Sequence, residues 1–183
     1  EALEGDLGRR CRGRQGEKIL AGLTARLSAG GAGSAPIHIS VLASDQTNAL
    51  TAPGGYIVVF KGLIEAAESP EELAGVIAHE LAHAALRHPE EALVRHAGLG
   101  LLMASLAQSG GLSALPVNLG ARLMITAYSR DDEWAADDLA LRLLRRAGIS
   151  SDGFAGFFAR LEARQGAAEN AFEYLSTHPP SGQ

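Results

Sequence analysis

The stretch Ser69-Pro70-Glu71-Glu72-Leu73-Ala74-Gly75-Val76-Ile77-Ala78-His79-Glu80-Leu81-Ala82-His83-Ala84-Ala85-Leu86-Arg87-His88-Pro89 decides how this chain folds. Ser69 suits a helix N-cap, Pro70 the first helical position, and Glu72 the place where a capping box wants its carboxylate. The helix so begun is expected to run from Pro70 to about His88, with Pro89 ending it. Val76, Ile77, Leu81 and Ala84 are available to face a core. His79 and His83, four residues apart, point both imidazoles to one side.

Outward from this helix the pattern alternates between helix and short strand. Ile19, Leu20, Leu23 and Leu27 share one face of a helix over Arg14 to Ser28, which stops at the glycine-rich stretch Gly30 to Ser34. Alternation predicts a strand over Ile37 to Leu42, and Gly54-Gly55 introduces a β-prone strand over Tyr56 to Phe60, the two pairing in a small sheet. Ser129-Arg130-Asp131-Asp132 gives a cap-like signal before a helix over Trp134 to Arg146, unless that helix starts earlier and runs through, and Gly148 fits the position just past its end. The tail adds helices near Asp152 to Gln165 and Glu169 to Leu175, then an irregular end at Thr177-His178-Pro179-Pro180. Ala97 to Ala127 reads as two core helices and a loop, because its apolar run to Ala107 is short of the ~20 residues of a spanning helix. A membrane-facing hairpin is the minority alternative.

A chain of 183 residues with 46 % hydrophobic side chains supports one packed unit, and we expect a single domain over residues 1–183 with residues 1–30 as an N-terminal helical segment. The class is α+β and mainly helical. A net charge of −5, with no long basic stripe, argues against nucleic acid as a partner. Cys11 is the only cysteine, so no internal disulfide forms. The chain opens at Glu1 without a methionine, and we expect a processed product or a piece of a longer chain.

The chemistry sits in His79-Glu80-Leu81-Ala82-His83. Two histidines at i and i+4 on a helix have the separation that two zinc ligands use, and Glu80 lies beside them, placed to take a proton from a metal-held water that attacks a carbonyl. This five-residue pattern arises by chance in roughly one chain of this size in a hundred, so context has to decide. A catalytic zinc takes three protein ligands and keeps one position open. Leu86 and Pro89 stand where a metzincin would place its glycine and third histidine, which excludes that class. His88, His96, Glu90, Glu91, Asp131, Asp132 and Glu133 remain as third donors. His88, five residues past His83, is rotated off the ligand face and reads as a helix-end residue. Glu133 is the better choice, because Asp137 follows at i+4 and can accept the other ring N–H of a ligating histidine. The bland alternative is a solvated acidic face of Glu133, Asp137 and Asp138.

These residues, together with Asn48-Ala49, Pro53-Gly54-Gly55-Tyr56-Ile57, Tyr128-Ser129-Arg130 and Ser176-Thr177-His178-Pro179, resemble the gluzincin peptidases that include HtpX, the CAAX prenyl protease and the BepA-like proteins. The resemblance runs from about Ile37 to Pro180. It implies a zincin-like fold, one zinc ion per chain held by His79, His83 and Glu133, and Glu80 as the catalytic base. It implies that the strand before the zinc helix is an edge strand, so that Gly55, Tyr56, Ile57, Val58 and Val59 would hold an extended polypeptide by main-chain pairing. The histidine matching His178 lies near the metal in relatives, as an oxyanion stabiliser or an inhibitory fourth ligand; without the family it reads as an ordinary loop histidine. Relatives continue to an arginine shortly after this motif, whereas this chain stops at Gln183. Trp134-Ala135-Ala136 departs from the family's second acidic residue and alters the surface beside the metal set.

The leading expectation is a zinc endopeptidase for polypeptide substrates, serving protein quality control at or near a membrane of the bacterial cell envelope, with membrane association through segments outside this chain. A binding or chaperone-like module without turnover is the second reading, disfavoured by the intact Glu80. A di-iron carboxylate protein is the third. Glu80-Leu81-Ala82-His83 supplies one Glu-x-x-His element where such a site needs two, and the chain holds no other.

Overall fold

A computed structural model describes residues 8–29, 31, 36–95, 128–164 and 178. The elements in chain order are α1 (Arg14–Ser28), β1 (His38–Leu42), β2 (Ala49–Ala52), β3 (Tyr56–Phe60), α2 (Lys61–Ala66) and α3 (Pro70–Leu86). They continue with a helical segment over residues 88–95 (α4), α5 (Arg130–Arg146) and α6 (Asp152–Arg164). The architecture is α+β and mainly helical, as the sequence pattern requires. The expectations for Ala97 to Ala127 and Glu169 to Leu175 lie outside the described residues. Among the described residues, no helix is long and apolar enough to cross a membrane.

Helix α3 is the core of the molecule. Its residues Ala74 to His83 are buried without interruption, so it carries no solvent face through its middle. Val76, Ile77, Ala78, Leu81 and Ala82 join one apolar cluster with Ile57 and Val59 of β3, Ala136, Ala140, Leu143 and Leu144 of α5, and Phe154 and Phe157 of α6. At its start the Ser69 hydroxyl accepts from the Glu72 amide at 3.2 Å. The Glu72 carboxylate reaches back one residue further than a capping box does, accepting from the Glu68 amide at 2.7 Å. It also accepts from Arg160 of α6, at 2.6 Å from Nη2, and these bonds hold its acid below the ordinary value. A cap thus doubles as a tie between two helices.

The end of α3 differs from the sequence expectation. The helix stops at Leu86 because Arg87 adopts a left-handed conformation (φ 62°, ψ 27°), with its amide donating to Ala84 and His83 carbonyls. Pro89 therefore falls in the first turn of α4, where its missing N–H costs nothing. By contrast, Ser129 and Asp132 form a full capping box, and α5 begins at Arg130, four residues before Trp134.

The sheet corrects a second expectation. Its strand order is β1-β3-β2, with β3 parallel to β1 and antiparallel to β2. The two strands expected from the sequence do pair, His38 to Leu42 against Tyr56 to Phe60 in register. A third strand, Ala49–Ala52, pairs along the other side of β3. Tyr56, Ile57, Val58 and Val59 are therefore central, flanked on both sides, and β3 is not the edge strand that the family resemblance implied. Strand addition needs a row of unpaired main-chain groups, and β3 has none to give.

Helices α3 and α6 cross at two glycines. A Cβ on Gly75 would lie 2.6 Å from Phe154 Cβ and 2.9 Å from its Cα, and one on Gly153 would lie 2.8 Å from the Glu71 backbone. Only hydrogen fits in either place. Gly75→Ala is expected to destabilise the chain by about 1–3 kcal/mol through overpacking, read as a lower denaturation midpoint, whereas Gly16→Ala on the open face of α1 should not.

Candidate metal centre

His79 and His83 lie one turn apart on α3, and both rings are buried, with Nε2 atoms 2.9 Å from one another. Glu133, in the first turn of α5, reaches the same point. Its Oε2 is 3.3 Å from His79 Nε2 and its Oε1 is 3.6 Å from His83 Nε2. His178 comes from the tail, buried, and donor atoms of these four residues all lie within 4.8 Å of one another. Of the expected site residues, His79, His83, Glu133 and His178 are thus gathered into one cluster, with Glu80 beside it.

The positioning of Glu133 begins two residues ahead of α5. The Tyr128 ring stacks on His83 at 4.1 Å between centroids and 20° between planes, and its hydroxyl donates to the Thr51 carbonyl at 3.3 Å. Burial and the surrounding carboxylates push the Tyr128 acid far up, so the phenol keeps its hydrogen. With the Ser129 cap fixed behind it, the first turn of α5 delivers Glu133 and, one turn on, Asp137. The Asp137 carboxylate lies 3.0 Å from His79 Nδ1, an arrangement that places a hydrogen on Nδ1 and turns Nε2 toward Glu133.

Glu80 is fully buried beside the His pair. The Thr51 hydroxyl of β2 donates to its Oε2 at 2.7 Å, and its Oε1 lies 3.4 Å from His178 Nε2. Thr51 and His88 are contributors that the sequence reading missed. Thr51 offers a single hydroxyl in Ala49-Leu50-Thr51-Ala52, a run with little β-propensity, and its only signal was its place just ahead of the glycine turn. His88 is no member of the four-residue cluster, yet the bend at Arg87 returns its Nδ1 to 2.9 Å from His83 Nδ1. Of the strand residues expected to hold substrate, Ile57, Val58 and Val59 are buried in the sheet and only Tyr56 is exposed.

The charges in the cluster work against one another. Burial would lower the His79 pKa, but the bonds to Asp137 and Glu133 outweigh it and raise it to about 10. Burial pushes Glu133 up to about 7, helped by the charges of Glu80 and Asp137 and opposed by His79. Burial and the positive charge of His79 hold His83 well below its ordinary value. One imidazole keeps its proton because two carboxylates press on it, while its neighbour one turn away is kept neutral. The donor set suits a divalent cation that takes nitrogen and oxygen. Among the described residues, Glu133 Oε1 is buried without a hydrogen-bond donor, and the two Nε2 atoms face each other with room for one proton at most. A tetrahedral ion with bonds of about 2 Å sets its donors about 3.3 Å apart, close to the two His–Glu133 separations.

The family model for peptidase family M48 matches residues 15–183. The chain belongs to peptidase family M48. Metalloprotease YcaL of Escherichia coli is 35 % identical over 151 residues, covering 80 % of this chain and 58 % of that protein. Mitochondrial metalloendopeptidase OMA1 of Schizosaccharomyces pombe is 31 % identical over 148 residues, covering 79 % and 43 %. The beta-barrel assembly-enhancing protease of Yersinia pestis is 27 % identical over 155 residues, covering 79 % and 32 %. This member of the family thus spans from a third to under two thirds of the length of these relatives. Membership in the family implies a metal, and the buried His/Glu cluster is where one fits.

Thr51→Val keeps the shape of β2 and removes the hydroxyl that Glu80 accepts from. It is expected to cost about 1–3 kcal/mol of stability, because a buried acceptor loses its donor, with urea denaturation as the measure.

Proposed function

We propose that this chain is a zinc-dependent endopeptidase domain that cleaves extended polypeptides, with His79, His83 and Glu133 holding the ion and Glu80 as the general base. The observation that carries the reading is the convergence of two imidazoles from α3 and one carboxylate from α5 on a single buried point, with a second carboxylate, Glu80, beside it and outside the ligand set. Zinc, when bound, supplies a Lewis acid that polarises the scissile carbonyl and lowers the pKa of water.

The rest falls to side chains of this chain. Thr51 donates to Glu80 Oε2 and orients the carboxylate, which takes a proton from the attacking water and passes it to the departing amine. Asp137 fixes the tautomer and orientation of His79. His178, with Nε2 facing Glu80 Oε1, completes the donor cluster at rest and donates to the developing oxyanion during turnover. Because β3 is central, main-chain pairing with a peptide falls to β2, the strand that touches Glu80 through Thr51.

The relatives are named as an assembly-enhancing protease and a mitochondrial endopeptidase, names that fit protein quality control at a membrane. We assign this chain the same kind of role, in a bacterial cell envelope, with attachment through segments outside it.

Casein cleavage with and without a chelator, paired with metal analysis, tests the reading. Glu80→Gln is expected to keep stoichiometric zinc and lose about 10²–10⁴-fold in cleavage rate; full activity rejects Glu80 as the base. Glu133→Ala is expected to lose the metal, and zinc retained undiminished in that variant removes Glu133 from the ligand set.

A further inference from the structure

The two histidines of α3 are held from behind by different chemistry. His79 has a carboxylate on Nδ1. On Nδ1 of His83 sits another imidazole, His88, at 2.9 Å, with ring centroids 5.0 Å apart and planes at 72°. Both rings are buried, and the edge-on approach aims one ring nitrogen at the other.

Two imidazole nitrogens at hydrogen-bond distance share one hydrogen. Which ring carries it decides what His83 presents at its far nitrogen. With the hydrogen on His83 Nδ1, Nε2 turns a lone pair toward Glu133 Oε1, 3.6 Å away. With the hydrogen on His88 Nδ1, His83 carries its own on Nε2 and has nothing to give an ion.

Asp132 tips this choice. Its Oδ1 lies 3.9 Å from His88 Nε2, beyond direct hydrogen bonding but close enough to favour the hydrogen on that nitrogen, which leaves His88 Nδ1 as acceptor. The carboxylate is fixed in turn, because its Oδ2 accepts from the Ser129 amide at 3.0 Å and Arg95 lies 3.6 Å from the same oxygen. The residue that caps α5, three positions ahead of Asp132, therefore also bears on the far side of His83.

We infer that His88 is a positioning residue for His83, a hydrogen-bond acceptor that holds its hydrogen on Nδ1 and its Nε2 lone pair toward the cluster. The inference rests on the metal-site reading above. It also gives the left-handed Arg87 a purpose: a helix running on to Pro89 would carry His88 about 140° around the axis from the bearing of His83, at about 100° per residue, and away from it.

Zinc affinity, measured by competition with a chromogenic chelator, separates the outcomes. His88→Leu fills the space without an acceptor and is expected to weaken zinc binding by about 10–100-fold. His88→Asn places an amide oxygen near the position of Nδ1 and is expected to recover most of that loss. If His88→Leu binds zinc like the unsubstituted chain, or His88→Asn is as weak as His88→Leu, the inference is overturned and the metal site stands. If the unsubstituted chain binds no zinc, both fall. Should His88→Leu fail to fold, nitrogen-15 NMR of the unsubstituted metal-free chain decides: a His83 hydrogen on Nδ1 is expected, and one on Nε2 overturns the inference.

Discussion

Two imidazoles buried side by side on one helix must find their partners on other elements, and that requirement ties the molecule together. Each polar side chain in the middle of α3 is matched from elsewhere: His79 by Asp137 of α5, Glu80 by Thr51 of β2, His83 by His88 beyond the helix end. A buried polar group without a partner costs about 1–3 kcal/mol, so a slip of α5 or β2 against α3 would forfeit several such terms together. Apolar packing around Ile77, Leu81 and Leu143 supplies the bulk attraction but tolerates small shifts. The polar matches fix the register.

The same division explains what could be read in advance. Local rules located α1, β1, β3, α3 and α6, and the i, i+4 spacings placed His79 with His83 and Glu133 with Asp137. They failed where two signals competed. Pro89 reads equally as a stop for one helix or a start for the next, and the left-handed Arg87 settled the matter. Ala49-Leu50-Thr51-Ala52 has no alternation to betray a strand, because all four residues are buried. With β2 unread, nothing in the local pattern contradicted the edge position that the family resemblance implied for β3.

Thr51 and His88 were beyond local rules for a different reason. Each acts across a contact that exists only once the chain is folded, over 29 residues for Thr51 and Glu80. His88 lies close in sequence, but straight-helix geometry sends it the wrong way. Only the bend makes it a neighbour of His83.

The glycine crossing of α3 and α6 has a reach beyond packing. By letting the helices nearly touch, Gly75 and Gly153 bring the rings of Phe154 and Phe158 to 5.9 Å and 6.3 Å from His79. One flank of the cluster is thereby sealed with hydrocarbon, and solvent is kept off that imidazole. The width of the seam is gauged by two absent methyl groups, so the dielectric felt by an ion at this centre is set partly by residues that offer it no donor atom.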